Sequence, residues 1–301
     1  MRIALKPYLI YVPGQDGHNP HFRGGDDLII PINRVDNAEL MNALMEVLSA
    51  SSAGVSEDDL WQHPKLGADK AQVKTLLGIM VDSGILWMPP TSGSRDFLWN
   101  YLSRFAPNMT AYEQRLNEST VSVRSHVSQD IETAINQSLE LCGLSIGSDA
   151  SPELTLVYAD FVSDSNLDVI DEELHQAGRP WLLVRFAGPA QLQLGPVFIP
   201  GETACYGCLN RRMEANRRYF DAYQDFKQID PLPAPQGSWH PVHISMAAQA
   251  VAFETVKYLL GVETSALVGG MRTIDFLSGE SEDERLLKLP DCKRCGSAHA
   301  G

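Results

Sequence analysis

Four of the five cysteines in this 301-residue chain fall into two pairs, Cys205-Tyr-Gly-Cys208 and Cys292-Lys-Arg-Cys295, with 83 residues between them. Two residues between thiolates let both reach one tetrahedral ion, and four sulfur ligands close its shell, leaving no position for water or substrate. The spacing therefore predicts a structural zinc ion (Zn2+) held by Cys205, Cys208, Cys292 and Cys295, stapling two distant stretches of chain. Gly207 is expected to ease the first turn, and Lys293 and Arg294 to offset the charge of four thiolates. A thioredoxin-like motif also reads Cys-x-x-Cys, but it usually occurs once, at a helix start within a strand–helix–strand unit. Here the second pair lies in a polar tail with little room for a helix. Cys142 falls on an apolar helical face and reads as a small core hydrophobe.

Other reactive side chains are sparser. His240 and His243 lie beside Trp239 at a proline turn, where histidine commonly serves as a structural hydrogen-bonding group; a catalytic or metal role stays open. Arg211, Arg212, Arg217 and Arg218 form a basic run that suits either a partner surface or a solvated helix face.

The net charge of −14 argues against general nucleic-acid binding, which needs cations to displace counterions from phosphates. No stretch is apolar for long enough to span a bilayer, and the opening Met-Arg-Ile-Ala-Leu-Lys-Pro lacks a signal-like run. The expected location is cytoplasmic. There thiols stay reduced, which again favours metal over disulfides.

Two rhythms position these residues. In the first, Leu5–Val12 and Leu28-Ile-Ile-Pro-Ile read as strands. Leu40, Leu44, Val47 and Leu48 recur at helical spacing after the cap Asn37, Ser56 caps a second helix, and Ala68–Ser83 forms a third with Val73, Leu76, Leu77 and Met80 on one side. Gly84-Ile-Leu-Trp returns as a strand, completing a winged helix-turn-helix pattern over residues 1–88. Residues 89–118 read as a linker with some helix. In the second rhythm, over residues 119–301, strands Thr120–Ser125, Leu154–Asp160 and Trp181–Phe186 alternate with helices Ser128–Cys142 and Asn166–Gln176. That alternation predicts an α/β domain on a parallel sheet. Gln191–Ile199 reads as a further strand pair, Leu209–Lys227 as a long charged helix, Gln228–His240 as a proline-containing loop, His243–Leu260 as a helix and Ala266–Leu277 as a strand.

The stretch Gly195-Pro-Val-Phe-Ile-Pro-Gly-Glu-Thr-Ala-Cys-Tyr-Gly-Cys-Leu-Asn-Arg-Arg, the loop Gly237-Ser-Trp-His-Pro and the ending Pro290-Asp-Cys-Lys-Arg-Cys-Gly resemble the ThiF/MoeB adenylating superfamily. More closely, they look like the ThiF-like scaffold proteins of thiazole/oxazole-modified peptide biosynthesis, which include the zinc subunit of the microcin B synthetase. Residues 1–87 are similar, more loosely, to the peptide-recognition element of such proteins. The resemblance implies a non-catalytic subunit that binds the leader of a ribosomal precursor peptide. It would present the core to a partner YcaO-type cyclodehydratase, which uses ATP to form azolines in microcin-type antibiotic biosynthesis. A flavin-dependent dehydrogenase and a homodimer are further partners it implies. The leader would add as a strand beside Leu28, Ile29 and Ile30, against the helix carrying Lys70, Val73, Lys74 and Leu77. An exposed strand edge and a neighbouring apolar groove suit that role, and Pro31, lacking an N–H, would end the ladder.

One departure bears on mechanism. Active adenylating enzymes carry a glycine-rich loop after the first strand of the sheet, where backbone N–H groups approach phosphates. Here that strand runs into Arg124-Ser-His-Val-Ser-Gln-Asp, without glycine before Gly143, and Asp160 is isolated. No ATP is therefore expected on this chain. Two alternatives remain: an active adenylating enzyme acting on a peptide C-terminus, and a winged-helix DNA reader. The latter is weakened by an acidic first ninety residues and by only two lysines, Lys70 and Lys74, on the recognition helix.

Overall fold

The structure is a computed structural model and is described for residues 2–6, 9–13, 20–23, 28–32, 37–51, 54–88, 109–147, 152–160, 164–188, 190–218, 225, 239–261 and 266–296. The chain divides into two compact units, Met1–Arg115 and Leu116–Gly301.

In the first unit, strand β1 (Arg2–Leu5) lies between β5 (Val55–Ser56) and β6 (Leu86–Trp87), antiparallel to both. Helix α1 (Ala38–Ser49) starts where the Asn37 side chain accepts from the Leu40 N–H. Helix α2 (Glu57–Gln62) opens on a reciprocal capping box between Ser56 and Asp59. The third expected helix, Ala68–Ser83, is present within about two residues of those bounds, with an extra short helix before it. A short α3 (Pro64–Ala68) ends at Asp69, whose side chain accepts from the Gln72 N–H and so starts α4 (Lys70–Asp82). Leu40, Leu44, Leu60, Leu66, Val73, Leu77, Met80 and Leu86 meet in one core, as the winged-helix pattern requires.

The single strand expected over Leu5–Val12 is two strands. The Leu9 N–H turns back to the Lys6 carbonyl at 2.9 Å. The chain then enters a separate antiparallel sheet in the order β2 (Ile10–Val12), β3 (His21–Arg23), β4 (Ile29–Pro31).

The second unit carries a seven-stranded sheet. Its strands are β7 (Thr120–Ser125), β8 (Ser145–Ile146), β9 (Leu154–Asp160), β10 (Trp181–Phe186), β11 (Gln191–Phe198), β12 (Gly270–Asp275) and β13 (Ser281–Arg285), in the order β13-β12-β11-β10-β9-β7-β8. Only β8, β7, β9 and β10 are parallel. Every residue of β10 and all but Asp160 of β9 are buried, as in strands covered on both faces. The strands expected to lie parallel, β7, β9 and β10, do so, and the strands that follow them in the chain add antiparallel. The short step from Phe186 to Gln191 permits a hairpin but not a crossover. Gln191–Phe198 is correspondingly one strand rather than a pair.

The helices of this unit are α6 (Gln129–Leu141), α7 (Asp164–Gln176), α8 (Tyr206–Ala215) and α9 (Pro241–Leu260), with α5 (Met109–Glu118) preceding β7. Helix α8 begins earlier and ends sooner than expected, at Asn216; residues 219–224, 226 and 227 of the expected helix lie outside the described residues, as do residues 228–238 of the proline-containing loop. Val157, Ala159, Leu167, Ile170, Trp181, Leu183, Phe198 and Leu209 form a core around the cysteines. Among the described residues no helix is long and apolar enough to cross a membrane.

Candidate functional site

The first cysteine pair is positioned by a turn and a helix start. The Thr203 hydroxyl accepts from the Ile199 N–H at 2.8 Å, folding Pro200-Gly201-Glu202 into a tight corner. Cys205 then occupies the N-cap of α8, and its carbonyl accepts from the N–H groups of Cys208 and Leu209. A helix N-terminus favours the thiolate form that metal ligation requires.

The second pair reaches the first through the segment after β13. The Leu286 N–H donates to the Gly269 carbonyl, and Lys288 Nζ donates to the Gly201 carbonyl at 2.8 Å. The Leu289 N–H donates to Cys208 Sγ at 3.4 Å. The knuckle closes with the Gly296 N–H on the Cys292 carbonyl, and a Cβ on Gly296 would lie 2.5 Å from that oxygen. Gly296 is thus the glycine the site cannot replace. Gly207, expected to ease the first turn, is helical, and a Cβ there would meet nothing nearer than Cys205 Sγ at 3.6 Å.

The four sulfurs gather within 4.8 Å of one another. Neighbouring Sγ–Sγ separations are 3.9 Å for Cys205–Cys208, 3.5 Å for Cys205–Cys292 and 3.3 Å for Cys208–Cys295. Sulfurs bonded to one zinc at about 2.3 Å would sit about 3.8 Å apart, whereas a disulfide needs about 2 Å. All are free thiols. The set is a closed, buried, all-sulfur shell able to hold a metal ion. Burial pushes the Cys205 thiol far up and Cys295 up to about 11. Burial also raises Cys292, but backbone N–H groups of Cys295 and Arg294 and the nearby thiols outweigh it, leaving it at about 7. Cys142 is buried elsewhere, outside this cluster.

Sequence reasoning missed Asp171. Its carboxylate, on α7, is buried beside the knuckles and accepts from Trp181 Nε1 at 3.2 Å, from the Tyr206 N–H at 3.1 Å and from Arg294 Nη1. Arg294 therefore turns to Asp171, and at 3.2 Å to Asp168, rather than standing free to offset the thiolates. Lys293 is exposed. Arg211 of the basic run pairs with Asp291 at 3.1 Å, a second tie between the knuckles. A cleft of about 650 Å³ opens beside Cys205 and Cys292, its rim carrying both charge signs from Asp168, Glu172, Arg211 and Lys293.

The parallel half of the sheet reverses its order between β7 and β9, where open α/β sheets commonly bind ligands. Arg124 there makes a bidentate pair with Glu173, at 2.8 and 2.6 Å. The His126 N–H is taken by the Tyr158 carbonyl at 2.9 Å. The following α6 carries Asp130 and Glu132 in its first turn, which oppose an anion at its N-terminus. Asp160 is half-buried at the end of β9.

In the first unit, β4 is an edge strand, paired only with β3 among the described residues. The Ile32 N–H donates to the Pro20 carbonyl at 3.0 Å, so alternation along an antiparallel ladder turns Ile30 toward β3 and Ile29 and Pro31 outward. Among the described residues the outward N–H and C=O of Ile29 have no strand partner, and Pro31 sits where its missing N–H costs β3 nothing. Ile29 is 55% exposed and Leu28 41%, while half-buried Ile30 packs on the core. Val73 has no exposed surface and Leu77 only 8%; both are core residues. Lys70 and Lys74 are exposed on α4 and lie over the Trp61 ring at 5.4 and 5.9 Å, with Lys74 also 3.5 Å from Glu57.

His240 caps α9, its Nδ1 accepting from the Val242 N–H at 3.3 Å, and His243 stacks on Phe276. His240 thus serves as a cap, whereas His243 makes a ring contact and its buried Nδ1 has no hydrogen-bond partner among the described residues.

No protein-family model matches the sequence, and no curated protein does. Solved structures do share its fold. A heterocyclase in complex with substrate and cofactor matches at a TM-score of 0.79 and 20% identity, over 98% of this chain but 39% of that one. The heterocyclase TruD matches at 0.77 and 20%, over 98% and 43%. MccB of E. coli matches at 0.60 and 13%, over 99% of this chain and 97% of its own. The chain thus spans about two fifths of the heterocyclases and nearly all of MccB, and it shares their fold.

Proposed function

We propose that this chain is a non-catalytic scaffold that binds the leader of a ribosomal precursor peptide and presents its core to a YcaO-type partner for azoline formation. The observation that carries the reading is the β4 edge, paired on one side with β3 and with no strand on the other among the described residues, where the outward N–H and C=O groups of Ile29 sit beside exposed apolar side chains. Strand addition needs that combination, since the backbone supplies affinity and alternate side chains supply selectivity. Similarity of fold to a heterocyclase solved with substrate and cofactor supports it, and the unmatched three fifths of the heterocyclases leaves room for a partner to supply the chemistry. Zinc at the four cysteines would hold the second unit together as a scaffold. Such a role needs no nucleic acid or membrane; a flavin-dependent dehydrogenase would act after cyclisation.

MccB, whose whole length this fold covers and which has been solved with ATP, favours a second reading, an adenylating enzyme acting on a peptide. The Arg124–Glu173 pair and the acidic first turn of α6 count against it.

The test is fluorescence polarisation with a labelled leader from a co-encoded precursor. Ile29→Pro removes the outward N–H without touching the β3 ladder, and should weaken binding by roughly tenfold, the worth of one hydrogen bond and its register. Unchanged binding by a folded Ile29→Pro would place the peptide elsewhere.

A further inference from the structure

The two cysteine pairs must meet before any metal can join them, and their separation in sequence makes that encounter improbable for a free tail. One carboxylate lies at the crossing. Asp171 accepts from the Tyr206 N–H, directly after Cys205 in the first knuckle. It accepts from Arg294 Nη1, between Cys292 and Cys295 in the second. It also accepts from Trp181 Nε1, whose ring stacks on Phe198 at 4.3 Å between centroids, anchoring the carboxylate to the sheet. All three donors converge on a side chain that is 1% exposed.

We propose that Asp171 and Arg294 form a metal-independent latch that docks the second knuckle in ligating register, so that the metal enters a pre-assembled site. This rests on the reading of the four cysteines as a metal site. The chemistry suits a latch better than a source of stability. Burial pushes the Asp171 carboxyl above its ordinary range while Arg294 pulls against it. Desolvation of a buried pair offsets much of its attraction, and the geometry it selects is its main product. Arg294 Nη1 bridges Asp171 and Asp168 while Nη2 faces Glu172 at 3.7 Å, so two nitrogens of one rigid plane are engaged and fix its orientation as a lysine cannot. Asp171 and Arg294 are positioning residues: Asp171 accepts from backbone and ring N–H groups around the ligands and Arg294 donates to Asp171, as outer-shell partners of metal ligands do.

The experiment uses the full chain in two arms. In the first, zinc-loaded protein is challenged with excess chelator and the release rate followed by a colorimetric dye. Arg294→Ala should release zinc at least about tenfold faster than wild type, Arg294→Lys should fall between them, and Lys293→Ala, an exposed neighbour, should match wild type. In the second, reduced, chelator-stripped protein is alkylated and each cysteine read by peptide mass spectrometry. Cys292 and Cys295 should react slowly in wild type and rapidly in Arg294→Ala, both at a temperature well below the thermal midpoint of either protein. Equal release rates, or equal alkylation of Cys292 and Cys295 in stripped wild type and Arg294→Ala, overturns the latch. Wild-type protein that never holds zinc would overturn the metal reading instead, and the alkylation arm would still judge the latch.

Discussion

Arg294 donates to Asp171 across 123 residues of sequence, and the carboxylate it reaches is 1% exposed. This contact ties the second cysteine knuckle to a helix that contributes no ligand. Around it the four thiols form a shell whose spacing fits one tetrahedral ion.

Purified protein should contain close to one zinc per chain, measured by plasma emission. Cys292→Ala should lose the metal and several kcal/mol of stability, because the free energy of binding to the folded site adds to the stability of the fold. Full metal occupancy in Cys292→Ala/Cys295→Ala would refute the four-cysteine assignment.

Calorimetry with ATP and magnesium should show no binding at micromolar concentrations. Arg124 is engaged by Glu173, and Asp130 and Glu132 oppose phosphate at the start of α6. Micromolar affinity, or pyrophosphate release with a peptide present, would restore the adenylating reading.

Lys74→Ala should weaken leader binding only a few-fold, and the effect should fade as salt rises. Lys74 is exposed and already shared with Glu57 and the Trp61 ring, so its field is screened. A large, salt-insensitive loss would mean Lys74 is desolvated in the complex.

Val73→Glu should unfold the first unit rather than spoil a groove. A carboxylate in that fully buried position has no partner and should cost several kcal/mol. Circular dichroism melts decide the point; a wild-type melt with lost peptide binding would put Val73 at the binding surface after all.

The Arg124–Glu173 pair sets a small pH dependence. Hydrogen bonding by Arg124 lowers the Glu173 carboxyl below its ordinary 4.5. A depressed carboxylate contributes stability above the unfolded value, and that contribution is lost as pH falls through the folded one. Glu173 is 61% exposed, so the pair is worth at most about 1 kcal/mol. Thermal midpoints of wild type and Glu173→Gln should differ at pH 7 and converge toward pH 3; a constant difference would show that packing, not charge, sets the effect.

Much of this was legible from the sequence because it is local. The spacing Cys205-x-x-Cys208 and Cys292-x-x-Cys295 needs only ligand geometry, and the cap residues Asn37 and Ser56 act within three residues of themselves. The strands Leu154–Asp160 and Trp181–Phe186 were readable because burial on both faces leaves an uninterrupted apolar run. What tertiary structure alone decided is non-local. Helical period placed Val73 and Leu77 on an apolar face, but whether that face met a ligand or the core depended on the elements packed against it. The free edge of β4 exists only because β3 covers the other side. Gly296 is required by a carbonyl four residues away that approaches only in the closed knuckle. And nothing marks Asp171 among the acidic residues of α7 until folding buries it against Trp181, Tyr206 and Arg294, because a carboxylate acquires its role from the donors that surround it.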